Sequence, residues 1–86
     1  MPPPLLRQEL DELIEARETL ELQIVELAAE RATAEQVAGL HVALDRLEAA
    51  SESAGEWPDR DLEFHLALAA ASGNRYLLQA MPGARA

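Results

Sequence analysis

Apolar residues recur at steps of three and four along the first third of the chain. They form one face, which only Arg17 interrupts, made of Leu10, Leu13, Ile14, Arg17, Leu20, Ile24, Leu27 and Ala28. This period is typical of an amphipathic α-helix, which we place at about Leu6–Ala32. A second strip, Leu22, Val25 and Ala29, widens the apolar face. The helix is therefore expected to contact more than one neighbouring element.

A second helix is predicted directly after the first. Thr33 begins a Thr-Ala-Glu-Gln stretch in which its hydroxyl and the Gln36 side chain can each accept from a backbone amide, the pattern of a capping box. The apolar residues of Ala34–Ser53 then keep a helical spacing. Because the break at Thr33 is so short, we expect the first two helices to form an antiparallel hairpin.

Turn-forming residues delimit two further helices. Asp59 can cap a third helix over Arg60–Ala71, since its carboxylate can accept from the first free amides. Gly73 is placed for a left-handed residue at the end of that helix. A short fourth helix starts near Asn74 and is expected to end at Pro82–Gly83.

These elements predict an all-α fold, an antiparallel helical bundle fragment of three helices plus a short fourth. The domain is expected over residues 6–81, with a linker remnant at 1–5 and a tail at 82–86. The fourth helix starts with a good apolar face and soon stops, so the bundle is expected to be incomplete. An incomplete bundle exposes apolar surface, and we therefore expect a dimer or a higher homo-oligomer.

Composition and charge narrow the function. The chain has 86 residues with a net charge of -9, and an acidic surface repels phosphate, so we expect no direct nucleic-acid binding by this chain. No apolar run reaches the roughly 18 residues of a membrane span and no signal sequence is recognisable, which favours a cytoplasmic protein without a membrane partner. There is no cysteine and no recognisable catalytic constellation, so we do not expect an enzyme.

Asp61 and His65 are the sharpest candidates for chemistry. They are four residues apart on a predicted helix, so both side chains project from one face and can reach one divalent cation. From spacing alone, a solvated Asp–His ion pair is the more common arrangement. Two ligands also fall short of the set that zinc usually takes from a protein.

Arg17 allows two interpretations. Its long side chain can pair with Glu18 or Glu21, as is common on helix surfaces. Alternatively, the guanidinium points into a cavity and binds the carboxylate of a ligand. The other histidine, His41, lies beside the apolar stripe of the second helix and is interpreted as a boundary or surface residue.

Three segments of the chain carry a family resemblance. Asp61–Asn74 reads DLEFHLALAAASGN and follows the pattern D-x-x-F-H-x-x-L…A-x-x-N, while Leu13–Glu21 contains R-x-x-L-E and Leu27–Thr33 reads LAAERAT. In order and separation, these segments resemble the FCD domain, the C-terminal effector domain of the FadR subfamily of GntR regulators. The resemblance covers about residues 6–81.

The resemblance implies a helical bundle that binds a small carboxylate metabolite within a bacterial transcription regulator. Many members of the family hold a divalent metal (zinc, nickel or manganese) with one Asp and three His. By motif match, Asp61 and His65 would be the Asp and the first His. Arg17 matches the arginine of the family's opening helix and would contact the effector.

The chain departs from the family pattern in two respects. No histidine follows His65, so the remaining histidine ligands are missing, and so is the winged helix-turn-helix DNA-binding domain that normally comes first. We therefore expect a truncated effector-binding and oligomerisation domain in which metal binding is weak or absent. The alternative is a purely structural, self-associating helical module with no ligand.

Overall fold

Four helices make up the fold. The computed structural model describes the backbone of residues 4–85 and the side chains of residues 6–82. The helices are α1 (Pro4–Arg31), α2 (Ala34–Ala49), α3 (Trp57–Ala71) and α4 (Arg75–Arg85), and residues 4–85 contain no strand. The predicted all-α class is therefore confirmed. Two residues of the predicted linker, Pro4 and Leu5, belong to α1, and the rest of that linker lies outside the described residues.

Helix α3 is the centre of the molecule. Helices α1, α2 and α4 each pack against it, and α1 also packs against α4. Arg31 near the end of α1 reaches Ser72 at the end of α3, whereas Arg46 late in α2 pairs with Glu63 in the first half of α3. The end of α1 therefore lies beside the end of α3, and the second half of α2 lies beside the first half of α3.

The predicted hairpin between α1 and α2 is wrong in its packing. Helices α1 and α2 do not pack against each other, and α2 packs on α3 instead. An apolar groove of about 290 Å³ remains between them, walled by Ala28 and Ala29 of α1 and by Val37 and Leu40 of α2. A short connection sets the direction of the next helix, but it does not decide which neighbour that helix packs against.

Two of the predicted helix ends are confirmed. Thr33 Oγ1 accepts from the Gln36 amide at 3.1 Å, and Gln36 Oε1 accepts from the Thr33 amide at 2.9 Å, which completes the capping box. Gly73 adopts a φ of 69°, the left-handed conformation expected after α3. Both features depend on residues adjacent in sequence, which is why the sequence could reveal them.

The end of α2 and the start of α3 differ from the prediction. Helix α2 ends at Ala49 rather than Ser53. Ser53 lies instead in a local turn, because its hydroxyl accepts from the Glu56 amide at 3.2 Å. Helix α3 begins at Trp57, with Glu56 at its N-cap position and without a side-chain cap. Pro58 fits the first turn of a helix, where no amide donor is needed, so Asp59 lies inside α3 and is not its cap.

Helix α4 continues through Pro82 to Arg85, whereas it was predicted to end at Pro82–Gly83. Proline removes one backbone donor from a helix, which affects a single bond this close to the end. The preceding residue, Met81, is 1% exposed and anchors the helix in the core. Tertiary packing therefore outweighs the local preference of proline.

The core is small and lies between α1, α3 and α4. Ile24, Ala69 and Met81 are buried at its centre, and the partly buried residues packed around them are Leu20, Leu66, Leu68, Leu77 and Leu78. By contrast, apolar side chains along the first half of α1 are largely exposed, Leu10 and Leu13 among them. No helix within residues 4–85 combines the length and the apolarity needed to cross a membrane.

Candidate functional site

A cavity of about 390 Å³ opens between α1, α3 and α4. Its lining is mostly apolar and consists of Glu21, Ile24, Val25, Phe64, His65, Leu68 and Met81. Cavities of this size and composition, with a few polar groups, are typical of small-molecule sites. The polar groups here are the Glu21 carboxylate from α1 and the His65 imidazole from α3.

The structure brings Asp61 and His65 together on α3, as their spacing predicted. Nδ1 of His65 lies 2.8 Å from the backbone carbonyl oxygen of Asp61 and 3.4 Å from its Oδ1. The His65 and Asp61 side chains are only 19% and 15% exposed, respectively. The pair is therefore largely shielded by neighbouring side chains, unlike the solvated pair that spacing alone favours.

The hydrogen bond to the Asp61 carbonyl determines the tautomer of His65. A carbonyl oxygen only accepts, so Nδ1 must carry the hydrogen that it donates. Nε2 of the neutral ring then keeps its lone pair and can accept from a ligand or bind a cation. The Phe64 ring meets the imidazole edge-on, with centroids 5.4 Å apart, and helps to hold its orientation.

The described residues do not form a complete metal site on their own. Within the described part of the chain, no three His, Cys, Asp or Glu side chains lie close enough together to hold one ion. Zinc normally takes at least three ligands from a protein. The tautomer of His65 nonetheless suits a metal ligand, since such histidines commonly donate their other ring N–H to a carbonyl.

Arg17 and His41 lie apart from this pair. Arg17 is half-buried on α1, one helical turn before Glu21, and is not among the described residues that line the cavity. His41 is exposed on α2, as predicted for a surface residue. Of the three proposed site residues, the structure therefore joins Asp61 with His65 and places Arg17 on a different helix.

Two cavity residues had not been recognised as such from the sequence. Glu21 was considered only as an ion-pair partner of Arg17, although it lies one turn before Val25, which shares the cavity wall. Met81 was placed at the end of a helix expected to stop at once. Its spacing of four from Leu77 could have indicated a continuing apolar face.

Arg31 is a further residue whose role was missed. Its Nη1 donates to the Ser72 carbonyl at 3.0 Å, and this bond joins the end of α1 to the end of α3. A cation suits this position because the last carbonyls of a helix carry partial negative charge. Arg31 thereby fixes how α1 and α3, two walls of the cavity, lie relative to each other.

Comparisons with known proteins agree with this architecture. The family model of the FCD domain matches residues 12–85. The Uxu operon transcriptional regulator of Escherichia coli (strain K12) is 40% identical over 70 residues, which cover 79% of this chain and 27% of that protein. The chain thus matches about a quarter of the length of that relative. No solved structure matches the chain significantly. The chain belongs to the FCD domain family of GntR-type transcription regulators.

Proposed function

We propose that this chain is effector-sensing and oligomerisation machinery of a bacterial transcription regulator and that it binds a small carboxylate metabolite. The observation that carries the proposal is the largely apolar cavity between α1, α3 and α4, with the oriented imidazole of His65 in its wall. The similarity to a transcriptional regulator supports the regulatory role. This chain carries a net charge of -9 and therefore repels DNA phosphates. The proposal thus assigns DNA contact to another part of such a protein. A regulator of transcription works beside the genome, so the proposal includes a cytoplasmic location.

Arg17 is proposed as the group that attracts the carboxylate. The cavity wall itself contributes a carboxylate, Glu21, which repels an anionic ligand in the absence of a nearby cation. Arg17 lies one turn away on the same helix, within reach of a long side chain. A guanidinium binds a carboxylate through two parallel hydrogen bonds, so it favours this ligand class over neutral molecules.

Ligand binding is proposed to act by population shift. The cavity is walled by three helices, and α4 contributes Met81 to it. A ligand that contacts all three helices favours the arrangement in which α4 is closed on α1 and α3. The change in the free energy of DNA binding is then limited by the difference between the ligand's binding free energies for the two arrangements.

The carboxylate proposal is tested by calorimetric titration with acetate, succinate and citrate. We expect heat of binding for at least one of them and a loss of affinity of about 10- to 150-fold in Arg17→Ala, since hydrogen bonds to charged groups contribute about 1.5–3 kcal/mol. Arg46→Ala is the matched control, because it removes an exposed arginine on α2 and should leave the affinity unchanged. Binding that is equal in all three proteins contradicts the role of Arg17, and absence of binding to the whole panel contradicts the ligand class.

Asp61 and His65 are proposed as two ligands of a divalent metal, namely zinc, nickel or manganese, in a regulator that supplies further ligands. In this chain, two ligands leave most of the coordination shell to water, so we expect binding to be weak or absent. Titration with zinc should therefore show no binding tighter than a dissociation constant on the order of 0.1 mM, and any binding should be lost in His65→Ala. His41→Ala is the control, since His41 is exposed on another helix. Equal zinc affinity of the wild type and His65→Ala would contradict the assignment of Asp61 and His65 as metal ligands.

A purely structural, self-associating module remains the second candidate function. The observation in its favour is the exposed apolar surface of α1, which includes Leu6, Leu10, Leu13 and Ile14. Exposed apolar patches of this kind often mark protein–protein contacts. The calorimetric panel separates the two candidates, because a structural module binds none of the carboxylates.

A further inference from the structure

The apolar stripe of α1 extends well beyond the core. Leu20 and Ile24 of this stripe pack against α3 and α4. The same stripe continues towards the N-terminus through Leu13, Leu10 and Leu6, but every residue from 6 to 16 is exposed. The 28 residues of α1 span about 42 Å at the rise of an α-helix, and the molecule is 47 Å long. The first half of α1 is thus a projecting arm with an uncovered apolar edge.

Charges on this arm lie away from the apolar edge. At 100° per residue, Asp11, Glu12 and Glu15 fall on the opposite half of the helix. Only Arg7 and Glu9 flank the edge, one on each side and opposite in sign. The two charges beside the edge therefore cancel, so repulsion between two copies comes from the acidic outer faces and not from the edge itself.

The spacing of the edge is that of a coiled-coil seam. Leu6, Leu10, Leu13 and Arg17 follow one another at steps of four, three and four. We infer that the arm pairs with the arm of a second copy in antiparallel orientation, so that Leu10 of each copy packs against Leu13 of the other. A parallel pair would stack Arg17 on Arg17, and two like charges at one layer of a seam are unfavourable.

Antiparallel pairing also satisfies the flanking charges. With Leu10 opposite Leu13, Arg17 of one copy lies opposite Leu6 of the second, one helical turn from Glu9 of that copy. Glu9 is then within reach of the Arg17 side chain, and in the ligand-free dimer symmetry forms this ion pair twice. This inference specifies the self-association that the proposed function includes, and its tests change Leu10 and Leu13, which are not among the residues that line the ligand cavity.

The size of the arm sets the expected strength. A stable interface buries about 800 Å² from each partner, which the few apolar side chains of one short arm cannot supply. We therefore expect a weak dimer, with a dissociation constant on the order of 100 μM. In a longer protein with further contacts, the arms would add to an interface rather than form all of it.

Sedimentation velocity of the full chain from about 10 μM to 1 mM tests the dimer and its surface, since this range brackets the expected constant. The double variant Leu10→Glu/Leu13→Glu should remain monomeric throughout, because it places carboxylates in both central layers. Leu22→Glu is the matched control: Leu22 is 61% exposed on the same helix but faces away from the edge. It should dimerise like the wild type, and circular dichroism should show equal helix content in all three proteins.

Single cysteines test the orientation, since the natural chain contains none. When Leu10→Cys and Leu13→Cys are mixed and oxidised, the antiparallel pair predicts that the mixed disulfide exceeds the two homodisulfides at least severalfold. Predominant homodisulfides would overturn the antiparallel arrangement. A wild type that stays monomeric at 1 mM, or a double variant that still dimerises, would overturn the arm as the interface. Neither result bears on carboxylate binding, which calorimetry measures independently.

Discussion

At the scale of single residues, His65 is the group whose chemistry the fold determines most closely. Its spacing from Asp61 was visible in the sequence, but the atom that it contacts was not. In the structure, Nδ1 bonds to the main-chain carbonyl of Asp61 rather than forming only a side-chain ion pair. The sequence therefore predicted that His65 lies beside Asp61. The bond from Nδ1 to the backbone carbonyl leaves Nε2 as the ring nitrogen available to a ligand or cation.

This arrangement predicts the tautomer of the neutral ring. At alkaline pH, where imidazole is neutral, we expect His65 to carry its hydrogen on Nδ1. Two-bond ¹H–¹⁵N correlation spectra distinguish the two ring nitrogens, and exposed His41 serves as the internal reference for the usual Nε2–H form. An Nε2–H tautomer at His65 would mean that the bond to the Asp61 carbonyl does not form in solution.

At the scale of elements, the junction between α1 and the end of α3 depends on Gly73. Its φ of 69° is unfavourable for any residue with a Cβ, and a Cβ added there would lie 3.2 Å from Arg31 Cδ. The glycine therefore allows the left-handed turn and also leaves room for the arginine that caps α3. The absence of a Cβ at Gly73 thus serves both the backbone turn and the close approach of Arg31.

Substituting this glycine tests the junction. Gly73→Ala should lower the free energy of unfolding by about 1–2 kcal/mol, because alanine is strained in the left-handed conformation. Gly39→Ala is the matched control within α2, where nothing lies within 4 Å of the added Cβ. It should raise stability by up to about 1 kcal/mol through its better helix propensity. Thermal or urea unfolding followed by circular dichroism measures both, and equal effects of the two would contradict the proposed role of Gly73.

Local sequence patterns predicted the elements better than they predicted the packing. The capping box at Thr33 and the turn at Gly73 depend on neighbours in the chain, and both are present. The start of α3 was missed because Asp59 was interpreted as its cap, and the end of α4 was missed because Pro82–Gly83 was interpreted as a break. Pro58 instead fits the first turn, and Met81 holds α4 in the core.

At the scale of the whole molecule, the choice of neighbours could not be derived from helical periodicity. On apolar character alone, α2 fits α1 or α3 equally well, and the fold packs it on α3. The cavity depends on that choice together with the closure of α4, since α1, α3 and α4 each supply part of its wall. Asp61 and His65 were predictable as a pair, whereas Glu21 and Met81 became site residues only through the tertiary arrangement.

We expect the effector to bind in the cavity between α1, α3 and α4. The chain contains two isoleucines, Ile24 in the cavity wall and Ile14 on the exposed arm of α1. Methyl NMR of the isoleucine-labelled protein therefore provides one probe inside the cavity and one outside it. During titration with acetate, succinate and citrate, the account predicts that a binding carboxylate shifts the Ile24 methyl signal and leaves that of Ile14 in place. If a carboxylate binds but the Ile24 methyl signal does not shift, the ligand does not bind in this cavity.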